Sequence, residues 1–466
     1  MAYTGTTAAI LSNYSEVLKT FYLPAIQEQL NNGTPMANLL EVNEKDISGK
    51  NATINAHYGR NTGTGARADG GALPDAGYQK HITCTVPMRY QYGRVTFSGP
   101  TIAATRDQKG SYANVVDNEI QGITKDLMKE VNRQLWGCGY GILARWRTTG
   151  SGTAYTLQRA YRGNTVGGDG FGSTFGGKYL KENGAAVAVV MTEASTVITA
   201  TTVGATSIAA SAVVETPLSG YDTITCTDPS VTEAAGTYYV RPASAPSLAT
   251  TTTQGAARYE MMGLRGIVTD TDLDDIALFS GTSASNTAPT TGVGDLLQGL
   301  AVGTYSFWKS IVSAHASGRY GGQRALTFKL MDKMFDDVEM VAGKDYGPDT
   351  VWTTRAIRRE YKELCDADRR MVNVMTLDGG WKALEYNGIP LMVDDDAIDG
   401  EMYFLTLRDI AIYRMSDYQW MDKDGSILSR ISGYDAYEAV LYRYAELGCT
   451  RRNAQGVICD IAYDVA

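Results

Sequence analysis

The stretch from residue 51 to residue 92 constrains this chain most. Residues 51–58 are strand-like, residues 61–77 are rich in Gly, Ala, Thr and Asp, and a second strand-like run follows. In that run Tyr78, Ile82, Cys84, Val86, Met88, Tyr90 and Tyr92 fall on one face. Gln79, His81, Thr83, Thr85, Arg89 and Gln91 fall on the other, and Lys80 is the one break in the apolar face. The pattern predicts a long β-hairpin with a polar, glycine-rich tip. Ten residues of strand reach roughly 33 Å, and a lone ribbon of that length is at best marginally stable in water. It must lie on a surface, supplied either by the same chain or by a neighbouring subunit.

The second constraint is a helix predicted over residues 112–136. Val116, Ile120, Ile123, Leu127, Val131 and Leu135 recur at spacings of four and three, and Asp117, Lys125, Lys129 and Arg133 occupy the other face. Twenty-five residues give a rod of roughly 37 Å, stopped by Gly137 and Gly139. Ahead of the hairpin, an extended arm leads into a short helix over residues 15–31, with Val17, Leu18, Phe21, Ile26 and Leu30 on one side. Pro24 interrupts that helix, which suits a clamp on a neighbour better than a core of its own.

From about residue 141 the composition shifts to Gly and Ser, then to Val, Thr, Ala and Ser as far as residue 254, which predicts an inserted β domain of short strands. Beyond residue 300 helices and strands mix. Leu330, Met334, Val338 and Val341 mark a helix over residues 326–342, residues 349–354 a short strand, and residues 356–364 a basic helix. Strands are expected over 389–393, 402–407, 410–413, 436–447 and 456–461.

At 466 residues the chain is long enough for two to four cores. A net charge of −9 argues against tight binding of free nucleic acid. The start lacks a basic, apolar leader and no apolar run is long enough to span a bilayer, so a cytoplasmic, non-membrane protein is expected at synthesis. Cys84, Cys138, Cys226, Cys365, Cys449 and Cys459 form no paired motif and read as buried free thiols.

Catalytic and cofactor motifs are weak. Residues 172–178 approach a phosphate-binding loop but end in Tyr179 where Ser or Thr is needed, and Gly63-Thr64-Gly65 falls in the hairpin, not between a strand and a helix. The run Asp270 to Asp275 opens like a calcium loop but lacks its turn glycine and closing Glu, so it reads as a solvated acidic turn. Asp394-Asp395-Asp396 is either a divalent-ion collector or an exposed turn. Three histidines, His57, His81 and His315, show no zinc or nucleophile spacing. No catalytic residue, cofactor or metal is expected, and the chain reads as a non-enzyme. Arg355, Arg358, Arg359, Lys362, Arg369, Arg370, Arg451 and Arg452 face either DNA or acidic patches on neighbouring subunits, with subunit contacts favoured.

Taken in order, the pieces resemble the major capsid proteins of tailed bacteriophages, the Hong Kong 97-type family. Residues 59–67 with 86–94 look like that family's E-loop, and residues 118–136 like its spine helix. Trp308, the residue 326–342 helix, the residue 348–352 stretch and Tyr386-Asn387-Gly388-Ile389-Pro390 look like its later peripheral and axial regions. The resemblance covers about residues 10–140 and 300–466.

It implies an α+β fold with seven parts. These are an N-terminal arm (1–44), the E-loop hairpin (45–98), a peripheral domain with the spine helix (99–140), an inserted β-rich domain and connector (141–300), a second peripheral segment (301–346), an axial domain (347–430) and closing peripheral strands (431–466). It further implies assembly into pentamers and hexamers of an icosahedral DNA-filled head. Portal, scaffolding and decoration proteins are the implied partners, and packaged double-stranded DNA is touched weakly. Arg60, Arg67, Lys80, Arg89, Arg94, Phe21, Arg358 and Arg359 are the candidate inter-subunit contacts. Lys80 is also a candidate for the lysine crosslink that some relatives form, although an ordinary solvated or interfacial lysine is the favoured reading. The start at Met1 suggests that no N-terminal scaffold segment is removed. Two other readings stay open: an encapsulin-like nanocompartment shell, and a carbohydrate-binding or adhesion virion protein. For the latter the aromatic platform is thin, with Tyr221, Tyr238 and Tyr239 alone between residues 182 and 253.

Overall fold

The computed structural model describes residues 33–44, 47–49, 51–100, 115–139, 260–272, 296–316, 324–367, 382–398, 400–422 and 427–463, together with the backbone of strands between residues 144 and 241 and of residues 374–376. The expected helix over residues 15–31, with Phe21, lies outside the described residues, as do the phosphate-loop-like residues 172–178.

Three of the four described sheets build the body and the hairpin. A five-stranded sheet joins Glu41–Asn43, Ile410–Trp420, Ala436–Cys449, Ser429–Arg430 and Arg89–Ser98. A seven-stranded sheet runs in the order Ile311–Ser313, Gly456–Ile458, Met402–Leu405, Thr350–Thr353, Ile389–Val393, Lys382–Tyr386 and Val374–Thr376. The third sheet is the hairpin, Asn51–Gly59 with Lys80–Pro87, edged by Ile47–Ser48. Between Ala144 and Arg241 the chain forms a separate seven-stranded sheet, in which Ala186–Ala194 pairs with Val197–Ala200, Thr206–Val214 and Tyr238–Arg241. The architecture is mixed α+β.

The long helix spans Val115–Trp136, 22 residues or about 33 Å. Leu127, Val131 and Leu135 are buried as the spacing predicts, but the last six residues, 131–136, are buried on every side. Arg133, expected on the solvent face, is 3% exposed, and Lys129 is mostly covered. Trp136 ends the helix in the main core, its ring centroid 5.5 Å from that of Tyr403 and 6.1 Å from that of Trp352. Residues 260–268 return from the insert to this core, where Met261, Met262, Leu264, Ile267 and Val268 pack with Leu135 and Trp136.

A second core gathers the Phe328–Ala342 and Arg355–Ala367 helices against the larger sheet. The buried face of the first is Met331, Met334 and Val338. Val341, expected there, is 51% exposed, one residue before the helix ends at Ala342. Thr327 caps this helix, its hydroxyl accepting from the Leu330 amide at 3.2 Å. The Lys382–Tyr386 and Ile389–Val393 strands are joined by Asn387-Gly388, both at positive φ (50° and 82°), the turn chemistry that a two-residue hairpin needs.

The hairpin departs from its predicted face in two respects, the first being Tyr78, which is 74% exposed ahead of the strand. Cys84, Val86 and Met88 are buried, but the alternation slips after Met88, and Tyr90 and Tyr92 are about half exposed while Gln91 faces inward. Met88 is where the chain changes partner: Lys80–Pro87 pairs with Asn51–Gly59, and Arg89–Ser98 pairs with Ala436–Cys449 in the other sheet. A slip at a change of sheet reverses which side chains face inward. Val86 and Tyr413 meet over Gly448, where an added Cβ would lie 2.5 Å from the Tyr413 ring. The hairpin's root is thus fixed to the body.

Candidate assembly surfaces

The surface on which the hairpin lies comes from its own chain. Tyr58 stacks on Phe307 at 5.2 Å and meets Tyr305 edge-on at 5.9 Å. Ile54, Ala56 and Ile82 pack against the main core beside those rings. Beyond Gly59 residues 60–79 have no strand partner, and almost all are exposed. The tip is tied to itself: Arg67 donates to the Ala72 carbonyl (3.0 Å) and the Ala66 carbonyl (3.1 Å), and the Gly71 amide donates to the Ala68 carbonyl. Leu73 and Tyr78 stand 85% and 74% exposed there.

The candidate contact residues separate into two groups. Arg60, Arg67 and Lys80 project from the hairpin, and Arg359 is exposed on the Arg355–Ala367 helix, where Arg358 is half-buried. Arg89 instead pairs with the buried Glu446 at 3.3 Å within the chain, and Arg94 pairs with Glu438 at 2.5 Å across two strands. Beside Arg94, Tyr90, Tyr92, Tyr442 and Tyr444 cluster on the outer face of the five-stranded sheet, with the Tyr444 ring 5.0 to 6.1 Å from the other three.

Several charged residues expected at the surface serve the interior. Arg452 is 1% exposed and donates to the carbonyls of Ile267 (2.8 Å), Trp308 (3.0 Å), Thr271 (3.0 Å) and Gly266 (3.5 Å). Burial pulls its pKa down to about 10, partly offset by Asp272 and Asp270, so it stays charged at neutral pH. It therefore contacts neither DNA nor a neighbour. Its neighbour Arg451 lies over the Tyr346 ring, 3.3 Å from the centroid. The acidic turn at residues 270–272 is partly an internal link, since Asp272 accepts from the Val302 amide at 2.9 Å.

Asp394 and Asp396 are likewise not on an exposed turn, at 1% and 7% exposure. Asn132 of the long helix donates to Asp396 at 2.6 Å and to Asp394 at 3.2 Å, and Lys129 reaches Asp396 at 2.7 Å. Burial first, and the Asp396 carboxylate second, raise the Asp394 pKa against the hydrogen bonds from the Asp396 amide and Asn132. Asp395 alone turns outward, paired with Arg355. These carboxylates fasten the long helix to the loop after Ile389–Val393, and among the described residues no group of three or more His, Cys, Asp or Glu gathers to hold a metal ion.

Similar polar stitching holds the segment that returns from the insert. Arg133 reaches Glu260 at 2.7 Å, and the Gln134 side-chain oxygen accepts from Gln91 (2.7 Å) and from the Met261 amide (3.1 Å). Cys84, Cys138, Cys365, Cys449 and Cys459 are buried free thiols. Burial pushes the thiols of Cys84 and Cys449 up to about 11 and about 12, which keeps them protonated and unreactive. Among the described residues no helix is long and apolar enough to cross a membrane.

His57 and His81, far apart in sequence and without a recognisable spacing, are brought face to face across the hairpin. The sequence held a usable signal: once the two runs are paired through their inward sets, Ala52 with Val86 and Ile54 with Cys84, the register puts the two histidines opposite each other on the outward face.

No family model matches the chain, and no curated protein matches it. Among solved structures, the chain is similar to a chain of the cyanophage A-1(L) capsid asymmetric unit at 16% identity and a TM-score of 0.55, covering 96% of this chain and 98% of that one. The capsid of Myoviridae phage XM1 matches at 8% identity and a TM-score of 0.45, covering 97% and 99%. The holo-SrpI encapsulin of Synechococcus elongatus PCC 7942 matches at 7% and 0.45, covering 99% and 97%. The first of these establishes a shared fold over nearly the whole of both chains.

Proposed function

We propose that this chain is the major capsid protein of a tailed bacteriophage, a structural subunit that assembles into pentamers and hexamers of an icosahedral head enclosing double-stranded DNA. One observation carries the reading: the end-to-end likeness to the cyanophage capsid chain, which leaves neither chain a large unmatched remainder. In this reading the Asn51–Gly59/Lys80–Pro87 hairpin is the E-loop, Val115–Trp136 is the spine helix, and the strands between residues 144 and 241 belong to an insertion in the 141–300 segment. The protein works by assembly in the host cytoplasm, with no bond-breaking step, and ends in the virion.

The exposed tip, with Arg60, Arg67, Lys80 and Leu73, reaches a neighbouring subunit, and Arg358 and Arg359 face another. Many modest contacts of this kind add up in a closed shell where each alone is weak. The net charge of −9 suits a wall that does not grip its packaged polyanion, so DNA contact is weak. Portal and scaffolding proteins, and a decoration protein on the outer surface, are the further partners.

Electron microscopy with sedimentation tests this, on the chain expressed alone and together with a scaffolding protein. Closed shells or discrete pentamers and hexamers are expected. A monomer in both conditions overturns the reading.

A further inference from the structure

Only three histidines occur in 466 residues, yet two of them are direct cross-strand partners on the hairpin. Their ring centroids are 4.9 Å apart and the ring planes are inclined by 38°. Both lie on the outward face and are exposed, as are their neighbours on that face Asn55 and Thr53. Directly opposed residues on antiparallel strands have Cβ atoms about 4.5–5.5 Å apart, a separation from which two imidazoles can turn one nitrogen each toward a common ion at about 2.0–2.1 Å.

The second observation concerns the far side of one ring. Nε2 of His57 lies 2.9 Å from the Gly59 carbonyl oxygen and 2.7 Å from the Gln79 side-chain oxygen. A carbonyl can only accept, so the tautomer of the neutral ring that suits these contacts has its proton on Nε2 and the lone pair on Nδ1. Metal-binding imidazoles are held in this way, one nitrogen donating to a carbonyl while the other faces the metal. The ladder also changes register between His57 and Gly59, which makes this pair the last regular one before the tip.

We propose that His57 and His81 form a two-imidazole site for a divalent first-row transition metal ion, with Gln79 and the Gly59 carbonyl fixing the His57 ring. Two neutral nitrogen ligands leave coordination positions open to water, and the affinity order expected is copper above nickel and zinc. A bound ion clips the strands together where the ladder ends and stiffens the tip. None of this depends on whether the chain forms a shell.

Calorimetric titration of the untagged full-length chain with copper, nickel and zinc salts is the test. One ion per chain is expected, with affinity falling at least about tenfold in His57→Asn and in His81→Asn, and by about tenfold in Gln79→Ala. His315→Asn should bind like the parent, and all four variants should keep the parent's unfolding midpoint. Saturating metal should also slow proteolysis within residues 60–79 in the parent and not in the two histidine variants. Absence of binding by the parent, or binding that survives both His57→Asn and His81→Asn, overturns the proposal.

Discussion

The body and the hairpin tip use the same polar side chains in opposite ways. In the body, Arg452 satisfies four backbone carbonyls, Arg133 holds Glu260, and Asn132 and Lys129 hold a buried carboxylate pair. On the tip, Arg60 and Lys80 stand at the surface, and Arg67 reaches only carbonyls of its own loop. A buried polar group costs free energy unless it is partnered, so the body has committed its charges to itself. Charges at the tip make no such commitment and stay available to another molecule. Substitutions should therefore divide by region: those in the body change stability, and those on the tip change association.

The largest effect expected is at Arg452. Arg452→Met takes a donor from four buried carbonyls, of which that of Ile267 keeps Ser310, and should cost about 3–5 kcal/mol in urea unfolding. A loss under about 1 kcal/mol would mean that the carbonyls find other partners and that the body is less committed than described. Next is Gly448→Ala, which drives a methyl into the Tyr413 ring where the hairpin root meets the sheet. A loss of about 1–3 kcal/mol in thermal or urea unfolding is expected; an unchanged midpoint would show that the root is loosely seated.

A smaller and opposite effect is expected at the buried carboxylate pair. Because the folded-state pKa of Asp394 lies above its unfolded value, the pair loses stability as pH rises from the ordinary carboxylate range through that raised value, and the penalty is complete above it. Asp394→Asn, which can still accept from Asn132, should therefore stabilise the protein at neutral pH, with the gain shrinking as pH falls toward the ordinary carboxylate range. Equal destabilisation at all pH values would show that the shape of the carboxyl group and its hydrogen bonds matter and its charge does not. Smallest of all, Arg60→Ala and Arg67→Ala should leave unfolding within about 0.5 kcal/mol of the parent while weakening assembly. A stability loss like that at Gly448 would erase the division between the regions.

Much of the fold was legible because its signals are local. The helix ending at Trp136 and the two strands of the hairpin follow from periodicity within a few residues. What local pattern could not supply was the partner. Lys129 and Arg133 read as solvent-facing because nothing nearby in sequence announces that Asp396 and Glu260 will cover them. Arg452 read as a surface cation for the same reason, since its acceptors lie between Gly266 and Trp308. The predicted alternation holds through Met88 and fails at Tyr90 and Tyr92, where the strand has changed sheets, an event that depends on the distant Ala436–Cys449 strand.

Deleting the tip while sparing the body tests the central division most directly. Residues 61–78 would be replaced by an Asn-Gly turn, and the shortened chain compared with the parent by sedimentation velocity and thermal unfolding. The parent should assemble, whereas the shortened chain should unfold at the parent's midpoint and sediment as a monomer. Shells formed without the tip would contradict the account.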